Sequence, residues 1–104
     1  MSRTITRMLS FIALATLSSG AVAADAENGG TLAKRWCVAC HVVASDQQRG
    51  STQTPPFSAI AHQQGFDSGK LALFLLEPHP KMPNMNLSRS EAADLATYIA
   101  TQGK

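Results

Sequence analysis

Two cysteines and a histidine fall within five positions, Cys37-Val38-Ala39-Cys40-His41, and the chain has no other cysteine. This cluster constrains the fold more than any other feature, because each chemistry open to it demands a different scaffold. A disulfide between Cys37 and Cys40 closes a very small loop and restricts little of the unfolded chain. A zinc site takes three or four protein ligands, and the only further histidines are His62 and His79. Adjacent Cys and His are also an awkward pair of tetrahedral ligands. A dithiol redox centre needs its C-x-x-C at the start of a helix near a βαβ pattern. Here the helical pattern precedes the motif, and no alternation of apolar and polar residues supports a strand. Covalent haem attachment uses every residue of the cluster. On a helical turn, positions i, i+3 and i+4 share a face, so Cys37, Cys40 and His41 are expected to point the same way. Two thiols at that spacing form thioethers to haem vinyl groups while the imidazole reaches the iron, and C-x-x-C-H is the attachment signature.

The N-terminal segment belongs to export rather than to the fold. It carries Arg3 and Arg7 with no acid before Asp25, an apolar stretch from about Met8 to Leu17, and Ala21-Val22-Ala23-Ala24. A basic start, a short apolar run and an A-x-A site read as a secretory signal peptide over residues 1–23, with cleavage after Ala23 or Ala24. The apolar run is too short and too interrupted by serine to span a bilayer, which takes about 20 residues. The expected domain is residues 24–104. Without Arg3 and Arg7 it carries seven basic and seven acidic residues, against 9 and 7 in the whole chain. The whole-chain pI of 8.8 is therefore partly a property of the signal. A near-neutral domain offers no basic footprint for nucleic acid.

A domain of about 80 residues builds only a marginal hydrophobic core and generally needs a staple. Covalent haem supplies both the staple and apolar filler. Three segments have helical character. In Ala26–His41, Leu32, Ala33, Trp36 and Cys40 recur at helical intervals, with Asp25 as a cap, so this helix is expected to deliver the motif at its C-terminal end. A second helix starts at Asp67 or Ser68 and stops at Pro78; Leu71, Leu73, Phe74, Leu75 and Leu76 predict burial nearly all round. The third opens with Ser88 and Glu91 as a capping box, has Ala92, Leu95, Ala96 and Ile99 as its apolar stripe, and ends at Gly103. The segments between them are rich in Pro and Gly. The fold expected is all-α, with three main helices and long loops wrapped around one haem.

The iron's sixth partner is open among Met82, Met85, His62 and His79 on the residues alone. Met82 and Met85 lie in the proline-stiffened stretch His79-Pro80-Lys81-Met82-Pro83-Asn84-Met85-Asn86 before the last helix, a setting that core packing does not explain. The signal, Gly29–His41, the Thr54-Pro55-Pro56-Phe57 loop and Lys81–Ile99 together resemble a small class I c-type cytochrome of the bacterial, monohaem, soluble kind. The resemblance implies a cytochrome c-like fold with one haem c. Cys37 and Cys40 match the thioether pair and His41 the proximal ligand. Met82, directly before Pro83 and sixteen residues before Tyr98, matches the distal ligand better than Met85. The resemblance also implies that the carbonyl of Pro55 or Pro56 takes the His41 Nδ1 proton, and that Gly29 or Gly30 meets Tyr98 where the first and last helices cross.

These readings point to a periplasmic one-electron carrier that is not an enzyme. Its expected partners are transient redox proteins such as oxidoreductases and other cytochromes, with no nucleic acid and no membrane anchor after cleavage, and it is expected to be a monomer. Lys34, Arg35 and Lys81 are candidates to border a haem edge, although a near-neutral domain steers partners only modestly. The competing class is a haem-based small-ligand sensor, or a fixed haem subunit of a larger oxidoreductase.

Overall fold

A computed structural model describes residues 12–13, 23–77 and 81–104; the signal segment and His79 lie largely or wholly outside them. Four helices follow in order, α1 (Ala26–Trp36), α2 (Phe57–Ala61), α3 (Ser68–Leu76) and α4 (Arg89–Thr101), with no strand among the described residues. The three long helices are those the sequence predicts. The short α2 is additional: at five residues it carries too little periodicity to stand out. It starts where Pro56 holds an extended backbone and cannot donate a hydrogen bond.

The caps form as their residues dictate. The Asp25 side chain accepts from the N–H groups of Glu27 and Asn28 at 2.9 and 3.2 Å. Asp67 accepts from the Lys70 N–H at 2.9 Å. Ser88 and Glu91 complete a reciprocal capping box, each bond 3.0 Å long. These side chains satisfy N–H groups that a helix start leaves without partners.

α1 packs against α4, which also supports α2 and α3. Gly29 makes the α1–α4 approach possible: a Cβ there would overlap the Asp94 carbonyl and lie 2.7 Å from Tyr98 Cβ. The Tyr98 ring lies over Gly30, and its hydroxyl donates to the Val43 carbonyl at 2.7 Å. Asp94 is 8% exposed, and its carboxylate accepts from the Asp25 N–H at 2.7 Å and the Asn28 amide at 2.8 Å. Both of its oxygens thus tie the start of α1 to the middle of α4. The core gathers Ala33, Cys37, Val43, Phe57, Leu95 and Ile99.

Two expectations change. α1 ends at Trp36, before the motif, and residues 37–40 form a separate turn. The N–H groups of Cys37 and Val38 share the Ala33 carbonyl, which closes the helix at that point. The expectation that α3 is buried nearly all round also fails: Leu73 is 66% exposed. Leu71 and Leu75 pack against the core and, with Phe74, also form a crevice wall, while Leu73 lies on the outer face.

Candidate haem site

The turn after α1 brings the motif to one wall of an apolar crevice. The N–H groups of Cys40 and His41 bond to the Cys37 carbonyl at 3.1 and 2.8 Å, so the turn is helical in its bonding although detached from α1. The chain that follows is pinned back onto it. Ser51 N–H and the Thr54 hydroxyl each donate to the Cys40 carbonyl at 2.8 Å, and Phe57 N–H donates to Val42 at 2.9 Å.

This folding-back carries Pro55 to His41. The His41 Nδ1 lies 2.6 Å from the Pro55 carbonyl oxygen. A carbonyl only accepts, so Nδ1 carries the proton and Nε2 keeps its lone pair for a metal. Of the two prolines that the resemblance leaves open, Pro55 makes the bond. The Phe57 ring packs against the imidazole with centroids 5.4 Å apart, restricting its rotation.

The inner part of the crevice has a volume of about 50 Å³, and its lining includes Cys37, His41, Phe57, Leu71, Phe74, Met82 and Leu95. It adjoins a wider groove of about 600 Å³ that shares His41, Ile60, Leu71, Phe74 and Met82. The groove has a polar rim that includes Gln53, Gln63, Lys70 and Lys81. An apolar interior with His41 and Met82 among its walls, and a polar mouth, fits a large flat apolar group bearing a metal and polar edge substituents.

The predicted site residues are not all equivalent in this arrangement. Cys37, His41 and Met82 line the same inner crevice. Cys40, expected on the same face, is exposed and lines neither space. Met85 is buried, but it is also absent from both linings. His62 is exposed at the end of α2, with its Nδ1 2.7 Å from the Ser58 carbonyl. Sequence reasoning missed Phe57 as the ring beside His41, Gln47 as a clamp on the loop, and α3 as a crevice wall. The signal for α3 was the excess of leucine over what a helix of that length needs for one protein contact.

The non-haem readings find little support in the geometry. Burial, and then the neighbouring Cys40, pushes the Cys37 thiol up to about 11, opposite to the lowered pKa of a redox-active dithiol. Among the described residues no three His, Cys, Asp or Glu side chains converge on a common point.

An all-helical fold that presents a C-x-x-C-H turn to an apolar crevice defines a protein with covalently attached haem. The family model for cytochrome c matches residues 26–103, and the chain belongs to that family. It is 54% identical over 90 residues to cytochrome c-552 of Bradyrhizobium diazoefficiens, an alignment covering 86% of each chain. No solved structure matches it. The chain is a small bacterial class I c-type cytochrome, a monohaem electron carrier whose cofactor is covalently bound haem c.

Proposed function

We propose that this cytochrome is a periplasmic one-electron carrier in which Cys37 and Cys40 hold the haem by thioethers and His41 and Met82 are the axial ligands. Residues 1–23 are its signal peptide, ending at Ala23 or Ala24, and residues 24–104 are the working domain. It acts as a monomer that meets redox proteins transiently and has no membrane anchor after cleavage. Among the described residues no helix is long and apolar enough to cross a membrane.

The observation that carries this reading is the bond from His41 Nδ1 to Pro55, in a crevice that Met82 also lines. Haem c supplies a one-electron Fe(III)/Fe(II) couple. The chain's part is to orient donors and exclude water. The Pro55 carbonyl fixes the tautomer of His41 and raises the basicity of Nε2. The Met82 thioether is a neutral, soft donor that favours the ferrous state and a higher potential than a second imidazole. Phe57, Leu71, Leu75 and Leu95 keep the interior apolar, which limits the change in solvation between oxidation states. With His41 and Met82 both holding the iron, the chain would leave it no open position for a substrate, in keeping with a carrier.

The test compares visible spectra of holoprotein carrying Met82→Ala or Met85→Ala. The wild type is expected to be low-spin, with a weak long-wavelength Met-to-Fe(III) band. Met82→Ala abolishes that band and opens the reduced iron to carbon monoxide, while Met85→Ala retains the band. The reverse pattern assigns the distal role to Met85. A wild type that binds carbon monoxide readily replaces the carrier with a ligand-binding module.

A further inference from the structure

Gln47 makes four hydrogen bonds around the haem motif, and the ligand assignment alone gives it no role. Its Oε1 accepts from the Val43 N–H at 2.9 Å. Its Nε2 faces the carbonyls of Arg49, His41 and Val38 at 2.6, 2.8 and 3.3 Å. Two N–H protons serve three acceptors, so the short bonds to Arg49 and His41 dominate and the longer contact to Val38 is shared. One carboxamide therefore gathers main chain from before, at and after the motif's histidine.

Its position is distinctive among the neighbouring bonds. The carbonyls of Cys40, Val42 and Val43 are taken by Ser51 and Thr54, by Phe57 and by Tyr98. The His41 carbonyl is taken by Gln47. The histidine is thus held at its ring nitrogen by Pro55, at its ring face by Phe57 and at its main chain by Gln47. The buried Val43 gives the same carboxamide its N–H. Without it, a buried donor and the His41 carbonyl both lose their partners.

We infer that Gln47 is a positioning residue for the axial imidazole, setting the plane of the His41 ring through its main chain, as outer partners of metal ligands do. The inference rests on His41 as the axial ligand. It predicts that the donor end of the carboxamide matters as much as the acceptor end. In Gln47→Glu the acceptor for Val43 remains, but a carboxylate oxygen then faces three carbonyl oxygens.

The experiment records paramagnetic NMR spectra and thermal melts of oxidised holoprotein for the wild type, Gln47→Ala, Gln47→Glu and Ser88→Ala. The last removes a cap from α4, whose bonds to Glu91 involve none of the groups that Gln47 touches, and lowers stability. The expected result is that both Gln47 variants shift the His41 ring and haem methyl resonances, while Ser88→Ala lowers the melting temperature and leaves them in place. Gln47 variants that melt earlier with those resonances unmoved overturn the proposal and leave Gln47 a loop-closing residue. If Gln47→Ala does not accumulate as holoprotein, the near-isosteric Gln47→Glu decides by the same criterion. A wild type without hyperfine-shifted histidine ring protons overturns the axial assignment itself, an outcome distinct from resonances that are present but insensitive to Gln47.

Discussion

Five of the thirteen residues of α4 are buried, whereas α3, with four leucines and a phenylalanine in nine residues, buries none. The difference lies in what each helix is built to touch. α4 meets protein: Gly29 lets α1 approach its backbone, Asp94 bonds to the α1 N-terminus, and Leu95 and Ile99 enter the core. α3 meets protein along one side, while Leu71, Phe74 and Leu75 line the crevice. In a family whose cofactor is a covalently held apolar macrocycle, that wall offers a surface to a non-protein partner as well as to the protein's own core. A helix can therefore be more apolar than its contacts with the protein's own core require.

The sharpest way to break this contrast is to truncate one leucine on each helix. Leu95 is 0% exposed and Leu73 is 66% exposed. Leu95→Ala is expected to cost about 3–4 kcal/mol in denaturant unfolding of the holoprotein, the range for buried Leu-to-Ala changes. Leu73→Ala is expected to stay within about 0.5 kcal/mol. Comparable losses from the two would mean that Leu73 is covered in solution.

The α1–α4 contact offers the next largest effect. Gly29→Ala places a Cβ against the Asp94 carbonyl, which is backbone and cannot swing aside. The helices must separate locally, at an expected cost of about 2–3 kcal/mol, partly offset by the better helix propensity of alanine. The same substitution at Gly65 meets no neighbouring atom, but φ there is +77°, so its smaller penalty comes from backbone strain alone. Equal melting temperatures for Gly29→Ala and the wild type would show that the helices do not approach so closely.

Much of this was legible before any coordinates, and the parts that were not share a cause. The caps at Asp25, Asp67 and Ser88 and the stripe on α4 are local signals, each written within one or two helical turns. The C-x-x-C-H motif is equally local and names its own cofactor. Pro55 against His41 was narrowed only to one of two prolines, because a contact between residues fourteen apart depends on how the intervening loop folds. Gln47 was illegible for the same reason: nothing in Asp46-Gln47-Gln48 distinguishes the glutamine that turns inward from its neighbour. The expectation for α3 failed at Leu73, which is 66% exposed and lines neither the crevice nor the groove: apolar residues on every side of a short helix do not say which side stays in solvent.

The smallest effect probes the seam where the two regions meet. Tyr98 belongs to α4, but its hydroxyl donates to Val43, just beyond the haem motif, and its ring lies edge-on to Phe57, which contacts His41. Tyr98→Phe removes one partly buried hydrogen bond and is expected to cost about 1 kcal/mol at neutral pH. Burial, and secondarily the charge of Asp46, raises the Tyr98 pKa above the ordinary tyrosine value. A raised folded-state pKa means that the folded protein holds the proton more tightly than the unfolded chain. The stabilisation is therefore complete below about pH 10 and is lost as pH rises through the folded-state value. The phenol is partly solvated, which moderates the slope. Denaturation midpoints taken from pH 8 upward should fall for the wild type above about pH 10 and fall less for Tyr98→Phe, narrowing the gap between them. A gap that stays constant across that range would mean that the Val43 bond contributes no net stability, since a tyrosinate cannot donate it. The tie between α4 and the motif would then be one of packing alone.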